Sequence, residues 1–146
     1  MSDKVSAFAT VDPFGGMTGS EPGTLQNLVG GEWVSDSKEY DYIIDPMNGE
    51  RFIKMPDTQD VTPFIDGLKS CPKTGLHNPM KNTERYVALG RVCAKASALL
   101  AEQDVLDFFT KLTQRVMPKS WNQCAAEVIV TRAFLENFAG DGVRFL

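Results

Sequence analysis

The chain has 146 residues, a length typical of a single domain. Hydrophobic residues make up 42% and charged residues 23%, as in an ordinary globular protein, and no run approaches the ~18 apolar residues that cross a bilayer. The net charge of −4 and the scattered basic residues exclude a typical nucleic-acid-binding protein.

The N-terminal region is rich in glycine, serine, threonine and proline, which predicts a flexible lead-in over residues 1–26. The first strand signals follow at once. Gly30 and Gly31 lie between two apolar pairs. Adjacent glycines are typical of a tight β-hairpin, because both central residues of its turn need a positive φ. A hairpin is therefore predicted around these two glycines.

Two further strands are predicted directly after the hairpin. Residues 40–45 and 51–55 are rich in β-branched and aromatic side chains, and the turn-forming residues 46–49 separate them. The sequence thus predicts two or three short strands, joined by tight turns, within residues 27–56.

Apolar residues recur at intervals of three and four after residue 60, the period of amphipathic helices. Asp57 or Asp60 is predicted to cap the first helix by accepting backbone N–H bonds, and Pro63 fits its first turn. The predicted helices span about residues 60–70, 83–102, 104–116 and 119–138.

Each of the last three helices carries a stripe that is predicted to be buried. In the first of them the stripe consists of Tyr86, Leu89, Cys93, Ala96 and Leu100. In the next it consists of Val105, Phe108, Phe109 and Leu112. In the last it consists of Trp121, Cys124, Val128, Thr131, Leu135 and Phe138, widened by Ala125, Ile129 and Phe134.

Short strands followed by about four helices predict an α+β fold. No alternation of strand, helix and strand is visible, so this sequence does not predict a complete parallel sheet. The chain is expected to lack a transmembrane segment and a secretory or mitochondrial leader pattern.

No catalytic, cofactor-binding or metal-binding residue is predicted. Cys71 lies six residues before His77, so a cysteine–histidine pair is conceivable, but no third group would orient it. Cys93 and Cys124 fall on apolar stripes, where a cysteine is usually a small buried hydrophobe. With three dispersed cysteines and one histidine, neither a zinc site nor a disulfide framework is expected. The glycine pairs match no phosphate-binding loop.

Several strings of the sequence resemble a known family. GGEWV (residues 30–34) and DPMNGE (45–50) resemble the N-terminal strands of the aldehyde dehydrogenase superfamily. A narrower resemblance, to the plant-type branch of delta-1-pyrroline-5-carboxylate dehydrogenase, is carried by CPKTGLHNP (71–79), ERY (84–86), RVMPKS (115–120) and TRAFLENF (131–138). The resemblance covers about residues 27–146.

The resemblance implies an incomplete N-terminal portion of an aldehyde dehydrogenase cofactor domain. That family uses NAD to oxidise glutamate semialdehyde to glutamate in proline breakdown, usually in mitochondria. Its catalytic cysteine, general-base glutamate, oxyanion asparagine and nucleotide-binding motif lie beyond the matched region, so no NAD binding or catalysis is expected from this chain alone.

The resemblance leaves three matters open. The expected partner is the remainder of the enzyme or another protein chain, and the full-length enzyme could form a homo-oligomer. A non-catalytic structural subunit of a larger assembly is the alternative function. Mitochondria are the expected compartment by resemblance, with the cytosol as the alternative.

Overall fold

The computed structural model describes residues 1–35, 37–70 and 84–139. Within these ranges the chain has the predicted α+β class. Its helices are α1 (Asp3–Ser6), α2 (Thr62–Lys69), α3 (Glu84–Leu100), α4 (Gln103–Val116) and α5 (Trp121–Ala139). Its strands are β1 (Gly23–Thr24), β2 (Asn27–Val29), β3 (Glu32–Val34), β4 (Tyr40–Ile44) and β5 (Arg51–Pro56).

The predicted hairpin is confirmed. Strands β2 and β3 pair antiparallel, with Leu28 opposite Trp33. Gly30 and Gly31, which form the turn between them, have φ values of 59° and 91°. Residues that carry a side chain rarely adopt this left-handed backbone conformation, so the glycine pair determines where the chain reverses direction.

The second sheet contains three strands in the order β1-β5-β4. β4 and β5 pair antiparallel, as a hairpin should, whereas β1 joins the other edge of β5 in parallel with Gly23 opposite Ile53. Phe52 and Ile53 on β5 are fully buried, and with Val11 and Met17 they form one core cluster.

Residues 1–26, predicted to be a flexible lead-in, pack against the rest of the chain instead. Val5, Val11 and Met17 are buried, and the backbone N–H of Gly19 donates to Glu50 Oε2 at 3.1 Å. Glycine- and serine-rich composition predicts flexibility from the local sequence alone, whereas these contacts join residues far apart in sequence.

Helix α2 begins close to the predicted place. Val61 occupies its N-cap position without a side-chain cap, and Pro63 lies in the first turn as expected. The Asp60 carboxylate accepts a hydrogen bond from the backbone N–H of Thr62 at 2.9 Å. Of the two predicted capping residues, Asp60 is therefore the one beside the helix start.

Helix α4 buries the stripe that its spacing predicts. Val105 and Phe108 are buried with Val5 in a second core cluster, and Phe109 packs against it. Phe8, from the N-terminal region, stacks on Phe109 with ring centroids 5.7 Å apart and meets Phe108 edge-on at 5.8 Å. These aromatic contacts pack the segment that follows α1 against α4.

The stripes of α3 and α5 differ from prediction. On α3, Ser97 is buried whereas Leu89 is 50% exposed; the side chain of Tyr86 lies outside the described residues. On α5, Cys124 and Val128 are buried as predicted. The α5 residues predicted to be buried but found exposed are Trp121, Ile129, Thr131, Phe134 and Phe138.

Candidate functional site

The family-like string at residues 45–50 forms the turn between β4 and β5. The backbone N–H of Met47 donates to Asp45 Oδ1 and that of Glu50 donates to Asn48 Oδ1, both at 2.9 Å. Gly49 has a φ of 77° and its N–H donates to the Asp45 carbonyl at 2.8 Å. Asp45, Asn48 and Gly49 of this string therefore each have a role within the turn.

Arg115 of α4 connects this turn to the N-terminal region. Its Nη2 donates to the Met17 carbonyl at 2.8 Å and lies 3.4 Å from Asp45 Oδ2. Its guanidinium also lies over the Phe52 ring, 4.8 Å from the centroid. Since the Asp45 and Arg115 side chains are mostly buried, this is a structural ion pair between three parts of the fold.

A groove of about 390 Å³ lies between the β2–β3 hairpin and the start of α2. Part of its lining is apolar, including Val29, Val34 and Phe64, and part is charged, with the acidic Glu39, Asp57 and Asp60 and the basic Lys38. The Thr62 hydroxyl and backbone N–H, both hydrogen-bonded to Asp60, hold the pKa of that carboxyl below its usual value. The groove lining therefore combines apolar side chains with more acidic than basic ones.

Charged contacts also hold α1 against α4. Ser2 Oγ donates to the Asp104 carboxylate, and this hydrogen bond holds the pKa of Asp104 below its usual value of 3.8. Lys4 Nζ donates to Glu102, which raises the pKa of Lys4 above its usual value. Both contacts lie at the surface, where such contacts contribute little to stability.

The cysteines in the described ranges are not arranged for catalysis. Cys124 is fully buried on α5 and Cys93 is partly buried on α3. A thiol that attacks an aldehyde needs access and a nearby base, and burial denies access to Cys124. The conceivable Cys71–His77 pair, with the rest of the string at residues 71–79, lies outside the described residues.

The glycine pair in the described part of the chain does not fit an NAD phosphate site. A dinucleotide site needs a strand, a glycine-rich turn and a helix N-terminus that receives the phosphates, whereas Gly30 and Gly31 close a hairpin between two strands. The groove lining, with three acidic side chains and one lysine, does not favour phosphates. Across the described ranges, no group of three or more histidine, cysteine or acidic side chains could hold a metal ion. Over the same ranges, no helix is long and apolar enough to cross a membrane.

Comparison with known proteins indicates a protein class, which the geometry of the site alone does not. The chain is 50% identical over 141 residues to delta-1-pyrroline-5-carboxylate dehydrogenase 12A1, a protein named as mitochondrial, from Arabidopsis thaliana. It is 47% identical over 141 residues to a probable aldehyde dehydrogenase from Linum usitatissimum. Each match covers 95% of this chain. No family model matches the chain.

The chain spans about a quarter of the length of the curated relatives it matches. The matches and the fold define its class: it is similar to part of an aldehyde dehydrogenase. More particularly, the predicted resemblance to the N-terminal part of a plant-type delta-1-pyrroline-5-carboxylate dehydrogenase is confirmed. The matched 141 residues also extend into the region before residue 27, where the sequence strings had indicated no resemblance.

One feature of the site was missed by sequence reasoning. The string at residues 45–50 indicated a family, but nothing local indicated that Asp45 would pair with Arg115, 70 residues later. Both residues stand in strings that carry the resemblance. Their shared occurrence in those strings was the available signal.

Proposed function

We propose that this chain is the N-terminal segment of an NAD-dependent delta-1-pyrroline-5-carboxylate dehydrogenase of proline breakdown, and that it acts in mitochondria. Residues 27–146 would form the aldehyde-dehydrogenase-like segment of that enzyme. The 50% identity to the Arabidopsis relative across 95% of the chain is the observation that carries this proposal.

The complete enzyme would convert glutamate semialdehyde, water and NAD⁺ into glutamate, NADH and two protons. In this proposal the segment contributes structure, and the catalytic cysteine, the base and the NAD site come from the rest of the enzyme. The burial of Cys124 and the structural roles of the residue 45–50 turn support a non-catalytic role for the segment alone.

The alternative is a structural or interaction subunit that retains the dehydrogenase-like fold in a larger assembly. The exposed phenylalanines of α5, Phe134 and Phe138, favour contact with further polypeptide, which both proposals require. The two differ in whether that polypeptide continues the same enzyme.

An immunoblot distinguishes the two proposals. An antibody raised against residues 60–140 would be used on denatured extracts and on isolated mitochondria of the source cells. The first proposal predicts a mitochondrial band about four times larger than 16.1 kDa, because the relatives are about four times longer. A band at 16.1 kDa within a large native complex would instead support the structural subunit.

An activity measurement tests the non-catalytic role. The purified chain is expected to produce no NADH from NAD⁺ and glutamate semialdehyde. The Arabidopsis relative, assayed in parallel, is the positive control. NADH formation by the 146-residue chain itself would reject the proposal.

A further inference from the structure

Helix α5 exposes a row of apolar side chains away from its buried side. Ala126, Val130, Phe134 and Phe138 follow one another at four-residue intervals, so they form one ridge along the helix, called here the α5 ridge. Val130 is 54% exposed and the two phenylalanines are each 59% exposed. Ala126 and Val130 lie on the far side of the helix from the buried Cys124 and Val128, and the ridge turns around the helix toward the Cys124 side at Phe138.

This distribution differs from that of an ordinary surface helix. Such a helix has one apolar stripe toward the core and a polar face toward water. α5 buries Cys124 and Val128 and still exposes the α5 ridge, so it is apolar on more than one side. Helices with this pattern are typical of the interior of larger folds, and exposed apolar patches mark interaction surfaces.

The neighbouring helix α3 shows the same feature. α3 packs along α5, with Ser97 Oγ donating to Glu136 Oε1 at 3.1 Å. It also leaves Leu89 and Val92 exposed, the latter by 64%. Both of these packed helices therefore expose apolar side chains, so the exposed apolar surface is not confined to α5.

The length of the relatives indicates the occupant. This chain matches about a quarter of each relative, with 50% and 47% identity over the matched 141 residues. Three quarters of the relatives' polypeptide thus has no counterpart here. We propose that the α5 ridge is a docking surface for that remaining polypeptide of the dehydrogenase; this inference rests on the proposed function.

Co-expression tests the proposal. The tagged 146-residue chain would be produced together with the part of the Arabidopsis relative that lies outside the match, and recovery of the untagged part would be measured. The unchanged chain is expected to retain it. The double variant Phe134→Ser/Phe138→Ser is expected to retain at least tenfold less, because central aromatic residues dominate binding.

Two matched variants keep the test specific. Leu68→Ser changes an apolar side chain that is 74% exposed on α2, away from the α5 ridge, and is expected to retain the partner. Phe134→Leu keeps an apolar ridge and is also expected to retain it. Circular dichroism would verify that each variant keeps the helical content of the unchanged chain.

The outcomes distinguish failure of the proposed function from failure of the ridge proposal. If the unchanged chain fails to retain the remaining polypeptide although the matching part of the Arabidopsis relative retains it, the proposed function fails. If it succeeds and the Phe134→Ser/Phe138→Ser variant retains equally well, the ridge proposal is overturned. Sedimentation that shows a dimer of the chain alone, broken by the same double variant, would assign the ridge to a second copy and overturn the proposal as well.

Discussion

Asp45 and Arg115 pair at 3.4 Å although 70 residues separate them, and this pair joins the β4–β5 turn to helix α4. The same guanidinium binds the Met17 carbonyl and covers the Phe52 ring. One side chain thus connects the N-terminal region, the sheet and the helices. The string at residues 45–50, which indicated a dehydrogenase, therefore has a structural role in this part of the fold.

We expect Arg115→Met to lower the free energy of unfolding by about 2 kcal/mol, because it leaves the mostly buried Asp45 carboxylate without its cation. Urea denaturation followed by circular dichroism would measure the loss. Arg91→Met, at an exposed position on α3, is the control and should change stability by less than about 0.5 kcal/mol. Equal losses in the two variants would contradict a structural role for the pair.

Thiol labelling should report on the packing of α5. In a Cys71→Ser/Cys93→Ser variant, the remaining thiol of Cys124 should react at least about a hundredfold more slowly in the native chain than in urea, because a fully buried thiol reacts only after local opening. A variant that keeps only the partly buried Cys93 should react faster. Similar native rates for the two thiols would show that α5 does not pack as described.

The contact between α1 and α4 should depend on pH. Ser2 holds the pKa of Asp104 below 3.8, so the ionised carboxylate stabilises the fold. That contribution is complete above the pKa of the unfolded chain and disappears as pH falls through the lower pKa of the folded chain.

The Asp104→Asn variant measures this dependence. The unchanged chain should be more stable than Asp104→Asn at pH 7, and the difference should shrink as pH falls below 3.8 and through the lower pKa of the folded chain. Urea titrations of both proteins across this range would give the difference. A difference that stays constant with pH would exclude the carboxylate as its source.

Two glycine substitutions should act in opposite directions. Gly67→Ala on α2 meets no atom within 4 Å, so the better helix propensity of alanine should raise stability by about 0.5–1 kcal/mol. Gly30→Ala places a side chain at a φ of 59° in the hairpin turn and should lower stability by about 1 kcal/mol. Thermal unfolding of the two variants, compared with the unchanged chain, would measure both effects. The same sign in both would contradict this account.

The sequence predicted the elements that local signals determine. Gly30 and Gly31 indicated the hairpin because its turn needs two positive φ values. Helix α4 was predicted with its buried residues Val105 and Phe108, because it carries one apolar stripe and its other sides are polar. In each case a short stretch of chain carries enough information to define the local structure.

The remaining features depend on long-range contacts or on ambiguous patterns. The burial of Val5 and Met17 requires α4 and β5, which no local window contains. On α5, apolar residues lie around much of the circumference, so spacing alone could not separate the buried Cys124 from the exposed Phe138. The Asp45–Arg115 pair was not predictable for the same long-range reason.

The packing of the N-terminal region has a consequence for how the chain is made. Met17 and Arg115 are 98 residues apart, and Ser2 and Asp104 are 102 apart. At ordinary translation rates, roughly 5–20 s pass between the synthesis of the two partners. The β4–β5 hairpin can pair during that delay, and Met17 can meet Phe52, whereas Ser2 and Val5 must wait for α4. The first residues synthesised are therefore among the last to reach their packing partners, and in that interval they are accessible to chaperones and proteases.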